Sequence, residues 1–259
     1  PDRFDKAAAS GADAVIIDLE DAVLPADKPK ARADVLAWLG AGDRGAVGVR
    51  LNSPRTAAGC ADLAAIAAAG DTLRAAFLMV PKAETAVDLE IVAEASGTRA
   101  PLIAVIESGR ALANATAIAR QAPGGLMFGG VDFSASLGAD VADWDAMLTA
   151  RGLIAAAAGA AGVAAYDVPF LDTSDTDGLA ASTRRVRAMG FCGRACIHPG
   201  QVATVNAAFT PGPDEVAEAR AVLAAMQDAR SGVALFKGKM IDRPVVLAAQ
   251  RIIAAARTD

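Results

Sequence analysis

Apolar and polar positions follow two alternating periods along the chain. Short apolar runs stand at 14–19 (AVIIDL), 46–51 (AVGVRL), 76–80 (AFLMV), 102–106 (LIAVI), 125–132 (GLMFGGVD), 163–168 (GVAAYD) and 194–198 (RACIH). Between them, alanine-rich segments of helical period lie near 2–10, 27–39, 57–69, 84–95, 109–121, 143–161 and 178–189. Continuous apolar strands separated by helices are the pattern of a parallel sheet covered on its faces. Neither GxGxxG nor GxxxxGK[ST] occurs, which argues against a dinucleotide-binding or P-loop sheet. The expected fold class is α/β, a TIM (β/α)8 barrel. Only seven strands are predicted and the chain opens on a helix, so the barrel's first strand is expected to be missing from this chain. A further helix at 210–229, a hairpin or loop at 231–242 and a closing amphipathic helix extend beyond a minimal barrel. Residues 1–229 are expected to form the catalytic barrel domain, and 230–259 a C-terminal helical extension packing on a neighbour.

Composition narrows the function. The 259 residues carry a net charge of −5, without a Lys/Arg run, which speaks against a nucleic-acid partner. No apolar run reaches the ~18 residues of a membrane span, and no signal peptide is recognised, so no membrane partner is expected. Three scattered cysteines, Cys60, Cys192 and Cys196, fit a reducing compartment, and the expected location is cytoplasmic. Cys192, Cys196 and His198 lack a nearby fourth ligand and a CxxC pair, so packing is a better account of them than zinc. DTSDTDG at 172–178 fails the calcium-loop spacing and reads as a helix cap.

Chemistry concentrates where strands end. Asp18, Glu20 and Asp21, Arg50 and Asn52, Lys82, Glu107 and Ser108, Asp132, Tyr166 and Asp167, and His198 all follow apolar runs. In a (β/α)8 barrel those ends form the active-site face. Each residue alone has a structural reading: Asp132 as a turn cap, Lys82 as the partner of a nearby acid, His198 as a core histidine. Taken together, they point to a site. Glu107 and Asp132 come from successive strands about 4.8 Å apart, so their carboxylates can converge on one ion. Two carboxylates with places left for water and substrate oxygens suit Mg²⁺. Gly129 and Gly130 let the backbone come close beside Asp132. The acid cluster Asp18, Glu20 and Asp21 is expected to hold metal-bound water or an arginine behind the ligands, with Lys82 and His198 in the same supporting layer. Arg50 suits a bidentate grip on a substrate carboxylate.

The motifs resemble those of the HpcH/HpaI aldolase and citrate lyase family, in particular its citrate lyase β-subunit-like (citryl-CoA lyase-like) members. They are PDRFDKA (1–7), SGADAVIIDLEDAV (10–23), KPKAR (28–32), VRLN (49–52), VPKAE (80–84), IAVIES (103–108), MFGGVDFSASLG (127–138), GFCGRACIHPGQV (190–202) and GKMIDRPVVLAA (238–249). Ser108 and Arg194 stand where Thr and Lys are frequent, leaving substrate choice open. The resemblance implies a TIM barrel, a homotrimer or hexamer, Mg²⁺, and an acyl-CoA or acyl-carrier-protein thioester substrate. It implies Glu107 and Asp132 as metal ligands, Glu107 and Arg50 in contact with substrate, and Asp242 as an acid that a neighbouring chain's tail brings to the site. The expected reaction is cleavage of a citryl-, citramalyl- or malyl-CoA-type 3-hydroxy-3-carboxy-acyl thioester into an acyl thioester and a 2-oxo acid. Arg50 would hold the carboxylate, Asp242 would donate a proton, and His198 would orient neighbouring groups. Alternatives are a malyl-CoA-type thioesterase, a pyruvate-dependent aldolase, and a carrier-dependent subunit of a citrate lyase complex.

Overall fold

The apolar runs become seven strands of one sheet: β1 (Val15–Asp18), β2 (Val47–Arg50), β3 (Leu78–Val80), β4 (Leu102–Ile106), β5 (Gly125–Phe128), β6 (Ala165–Asp167) and β7 (Gly193–Arg194). The computed structural model describes residues 2–227 and 232–256. Every neighbouring pair in the sheet is parallel, and the strands stand in sequence order from β1 to β7. The order never reverses, so there is no switch-point crevice of the doubly wound kind. This is the wall of a TIM (β/α)8 barrel, with seven strands among the described residues.

Alternation along the strands separates two cores. Phe77, Met79, Ile103, Val105 and Met127 cluster on one face, with Tyr166 and Ala195 packed against them. The residues between them, including Leu78, Ile106, Leu126 and Phe128, are fully buried on the other face. All five residues of β4 are buried, as expected of a strand covered on both sides. Gly48 on β2 has a steric reason: a Cβ there would lie 2.3 Å from the Phe77 ring.

Three expected elements differ. The run 125–132 is strand only to Phe128; the Gly129–Gly130 pair ends it, and the helix Gly130–Leu137 begins, with Phe133 N–H already bonded to the Gly129 carbonyl. Asp132 therefore lies in the first turn of a helix, not at a strand end. The run 194–198 keeps only Gly193–Arg194 as strand. The expected helix 109–121 breaks into Gly109–Ala113 and Ala115–Arg120 at Asn114, whose side-chain amide donates to the backbone carbonyls of Glu84 and Arg110.

The chain divides into two units, Pro1–Val205 and Asn206–Asp259. The expected boundary at 229/230 falls within the second unit and lies outside the described residues. That unit contains the helix Pro213–Gln227, an antiparallel hairpin of β8 (Ala234–Phe236) and β9 (Lys239–Ile241), and the helix Arg243–Ala255. Lys237 and Gly238 both have positive φ, the conformation of a two-residue hairpin turn. Ala219, Val222, Ile241 and Ala249 form its core. No helix among the described residues is long and apolar enough to cross a membrane.

Candidate functional site

The acid cluster after β1 is answered by two cations. Arg50, at the end of β2, sits beside Asp18 in the β1–β2 register. Its Nε and Nη2 donate to the two Asp18 oxygens at 2.8 and 2.5 Å, a bidentate pair. Its Nη1 lies 3.2 Å from Glu20 Oε2. Lys82 Nζ donates to Glu20 Oε1 at 2.5 Å and lies 3.5 Å from Asp21 and 3.7 Å from Asp132. Lys82 adopts φ +51, a left-handed conformation unusual for a residue with a side chain. Asp18 also accepts the backbone N–H groups of Glu20 and Ala22, which folds the loop after β1 over its own carboxylate. The expected arginine behind the ligands is thus Arg50, with Lys82 as a second cation. Arg50's fork is thus committed to Asp18 through Nε and Nη2 and faces Glu20 through Nη1.

An open cleft of about 610 Å³ lies at the C-terminal ends of the strands. Asp21, Lys82, Glu84, Glu107, Ser108 and Asp132 line it. Glu107 is 6% exposed, and its Oε2 is buried without a hydrogen-bond partner. Burial, then the charges of Glu20 and Asp132, push its carboxyl up to about 8 against the partial relief of Lys82 and Arg50. Burial also raises Glu20, although Lys82 and Arg50 oppose it. For Asp18, burial is outweighed by the Arg50 pair and the loop amides, which leave it below the usual carboxylate range. Burial opposes the charge on Lys82, but Glu20 overrides it and holds the ammonium protonated.

These residues fit Mg²⁺. A buried carboxylate with an unpartnered oxygen wants a cation, and Asp132 offers a second, half-exposed carboxylate on the same cleft. No group of three or more His, Cys, Asp or Glu side chains is placed around one point among the described residues. Two carboxylates leave places on Mg²⁺ for water and substrate oxygens. Gly129 serves Glu107 rather than Asp132: a Cβ there would lie 2.3 Å from Glu107 Cγ and 2.9 Å from Val105 Cγ1. Its φ of −87 suits any residue, so the requirement is space alone. Gly129→Ala is expected to displace Glu107 and weaken Mg²⁺ binding at least roughly tenfold, by titration calorimetry, at little change in fold.

Other strand-end groups have other roles. Asp167 is fully buried, with Arg151 Nε at 2.9 Å from Oδ1 and Arg194 Nη2 at 3.2 Å from Oδ2. Arg194 also donates to the Val168 carbonyl and to the Ser182 and Thr183 hydroxyls, and Arg151 stacks on Trp144. This network ties β6 and β7 to their helices, so the arginine at 194 bears on packing. His198 is exposed, and its Nδ1 accepts the Gly200 N–H as the cap of a helical turn. Cys60 and Cys192 are exposed and unpaired. Asp175 caps the helix Thr176–Ala188, as the sequence suggests. Asp242 begins the last helix, yet its side chain makes no cap bond there. Glu84 was not singled out from the sequence. It lines the cleft, accepts from Ser108 Oγ at 2.9 Å, and its only local sign was its place two residues after Lys82 in VPKAE.

Residues 1–199 match the HpcH/HpaI aldolase/citrate lyase family. The chain is 38% identical over 263 residues to the citrate lyase subunit beta-like protein of Mycobacterium tuberculosis, covering 99% of this chain and 92% of the relative. It is 34% identical over 291 residues to the L-malyl-CoA/beta-methylmalyl-CoA lyase of Cereibacter sphaeroides, covering 99% and 91%. The structure of CitE from Mycobacterium tuberculosis in complex with magnesium, acetoacetate and coenzyme A superposes with a TM-score of 0.85 at 36% identity, over 99% of this chain and 94% of that one. The citrate lyase beta subunit of the same organism, complexed with oxaloacetate and magnesium, gives 0.72 at 36% identity over 82% and 92%.

Proposed function

The chain belongs to the HpcH/HpaI aldolase/citrate lyase family, and from that premise we propose that it cleaves a 3-hydroxy-3-carboxy-acyl-CoA thioester of the citryl, citramalyl or malyl type. It is a carbon–carbon lyase that uses Mg²⁺. The observation that carries the reading is Glu107, a buried carboxylate with an unpartnered oxygen on a cleft shared with Asp132 and Lys82.

In this reaction the bond between the carbinol carbon and the thioester α-carbon breaks. Its electron pair moves to the α-carbon, the hydroxyl loses its proton and becomes the oxo group, and the α-carbon gains a proton. Glu107 and Asp132 would hold the Mg²⁺, which supplies Lewis-acid polarisation of the substrate oxygens. Lys82 and Arg50 stay cationic and offset negative charge that develops on the substrate. Arg50 is braced by Asp18 and paired with Glu20, so its guanidinium is fixed before substrate arrives. Asp242, free of the capping bond its position invites, is the proton donor in this reading, delivered from a neighbouring chain of a trimer or hexamer.

The test is incubation with Mg²⁺ and citryl-, citramalyl- or malyl-CoA while following both 2-oxo acid and free thiol. Oxo acid that vanishes with EDTA supports the lyase. Thiol without oxo acid marks hydrolysis and overturns it. Sharing of the site between chains has its own check. Asp242→Asn and Glu107→Gln proteins, each inactive alone, are expected to recover activity when dissociated and reassembled together, with about one site in four intact in an equal mixture. No recovery would place Asp242 outside a shared site.

A further inference from the structure

We propose that Lys28 is a positioning residue for this reaction, holding the acid loop after β1 so that Glu20 sets Lys82 over the cleft. The inference rests on the lyase reading above.

Lys28 opens the helix Lys28–Gly40. Its Nζ donates to the Leu19 carbonyl at 2.9 Å, the Glu20 carbonyl at 2.7 Å and Asn52 Oδ1 at 2.5 Å. An ammonium has three donors, and all three go to neutral oxygens. Asn52 is itself fixed from behind. Its backbone N–H and its side-chain amide both donate to Asp62 Oδ2 at 2.8 Å, and Arg32 Nε holds Asp62 Oδ1 at 2.6 Å. Asn52 and Asp62 are 5% and 1% exposed. The helices Lys28–Gly40 and Ala57–Ala69 thus reach the β1 loop through a buried polar chain that ends on Lys28.

Glu20 is the residue this chain fixes. Its carbonyl is held by Lys28 and its Oε1 by Lys82, while Arg50 Nη1 lies 3.2 Å from its Oε2. Without Lys28 the Leu19 and Glu20 carbonyls lose their common donor, and the Glu20 carboxylate can turn. Lys82 Nζ would then lose the partner that keeps it 3.7 Å from Asp132. Nothing that touches substrate is removed, so the effect falls on turnover rather than on binding.

The test uses the full chain with Lys28→Met, which keeps the stem and removes the donors, and Lys28→Ala. Amide hydrogen exchange is measured without substrate, then kcat and KM with Mg²⁺ and the best thioester. In Lys28→Met, exchange at residues 20–23 should rise at least roughly tenfold while β4 stays protected. Turnover should fall roughly 10- to 100-fold with KM within about threefold. Ethylammonium should restore part of the kcat of Lys28→Ala, and tetramethylammonium, which has no N–H donor, should not. If Lys28→Met does not fold, Lys28→Arg replaces it, since a planar guanidinium cannot place three convergent donors. Unchanged exchange at 20–23 overturns the inference whether or not any thioester is cleaved. Loosened exchange with unchanged kcat in an active protein overturns it too. Loosened exchange in Lys28→Met, with the wild type inert on every thioester, would sink the lyase reading while leaving the anchoring of Glu20 standing.

Discussion

Glu107→Gln is expected to abolish cleavage and, in metal-free protein, to raise stability at alkaline pH. The first effect follows from losing the anionic ligand. Lewis-acid stabilisation is worth several kcal/mol, so turnover should drop on the order of 10³-fold or more in the oxo-acid assay. The second follows from linkage. The Glu107 carboxyl is raised by burial and by Glu20 from 4.5 to about 8. The folded chain therefore keeps this proton through a range where the unfolded chain releases it. At low pH both states are protonated and Glu107 costs nothing. As pH climbs from about 4.5 to about 8, metal-free protein loses stability, on the order of 3–5 kcal/mol for a group this deeply buried. Glutamine has no proton to lose, so the variant should show no such decline. Mg²⁺ binds the carboxylate form, so the rise in melting temperature on adding Mg²⁺ should grow with pH up to about 8 and be absent in Glu107→Gln. A pH-independent Mg²⁺ effect in wild type would remove Glu107 from the metal site.

The largest loss of stability is expected at Asp167, away from the cleft lining. Its two oxygens face Arg151 and Arg194, whose side chains are 4% and 3% exposed. Asp167→Ala leaves two guanidinium groups buried without their counter-charge. Removing one partner of such a set costs about 3–5 kcal/mol, which lowers the melting temperature by roughly 10 °C in a chain of this size. Asp167→Asn keeps a hydrogen-bonding shape and should lose less. Cleavage measured below the transition should be little changed in both, because the network braces β6 and β7 without lining the site. Calorimetry beside the oxo-acid assay separates the two effects, and activity lost in step with no change in melting would contradict a purely bracing role.

The strands were legible because parallel strands covered on both faces leave uninterrupted apolar runs, as LIAVI and GLMF do. Their end residues were legible for the same reason: Glu107 is a carboxylate next to five buried residues, which makes it conspicuous. Asp132 lines the cleft, but from the first turn of a helix and not from the strand end that the sequence suggests. The apolar run LMFGGV reads on through the glycines, and only the tertiary close approach of Glu107 reveals that Gly129 ends the strand. A histidine after ACI looks like a strand end, whereas β7 stops at Arg194 and His198 caps the helical turn that follows. What composition and period could not show were partnerships across long separations. Lys82 with Glu20, Arg50 with Asp18 and Arg55 with Asp88 join residues 62, 32 and 33 positions apart. Local pattern suggests that the acid cluster has cationic partners but not which atoms meet, and Glu84 is visible only once the cleft exists.

The left-handed backbone at Lys82 sets two selective pressures against each other. A side chain in that region costs on the order of 1–2 kcal/mol, which glycine would recover. Glycine would also delete the ammonium that faces Glu20, Asp21 and Asp132. It would also leave the buried Glu20 carboxylate without its hydrogen-bonded counter-charge, a larger loss than the strain relieved, so a library screened only for heat resistance keeps a cation here. A library screened for turnover keeps the lysine and accumulates its compensating substitutions elsewhere in the barrel.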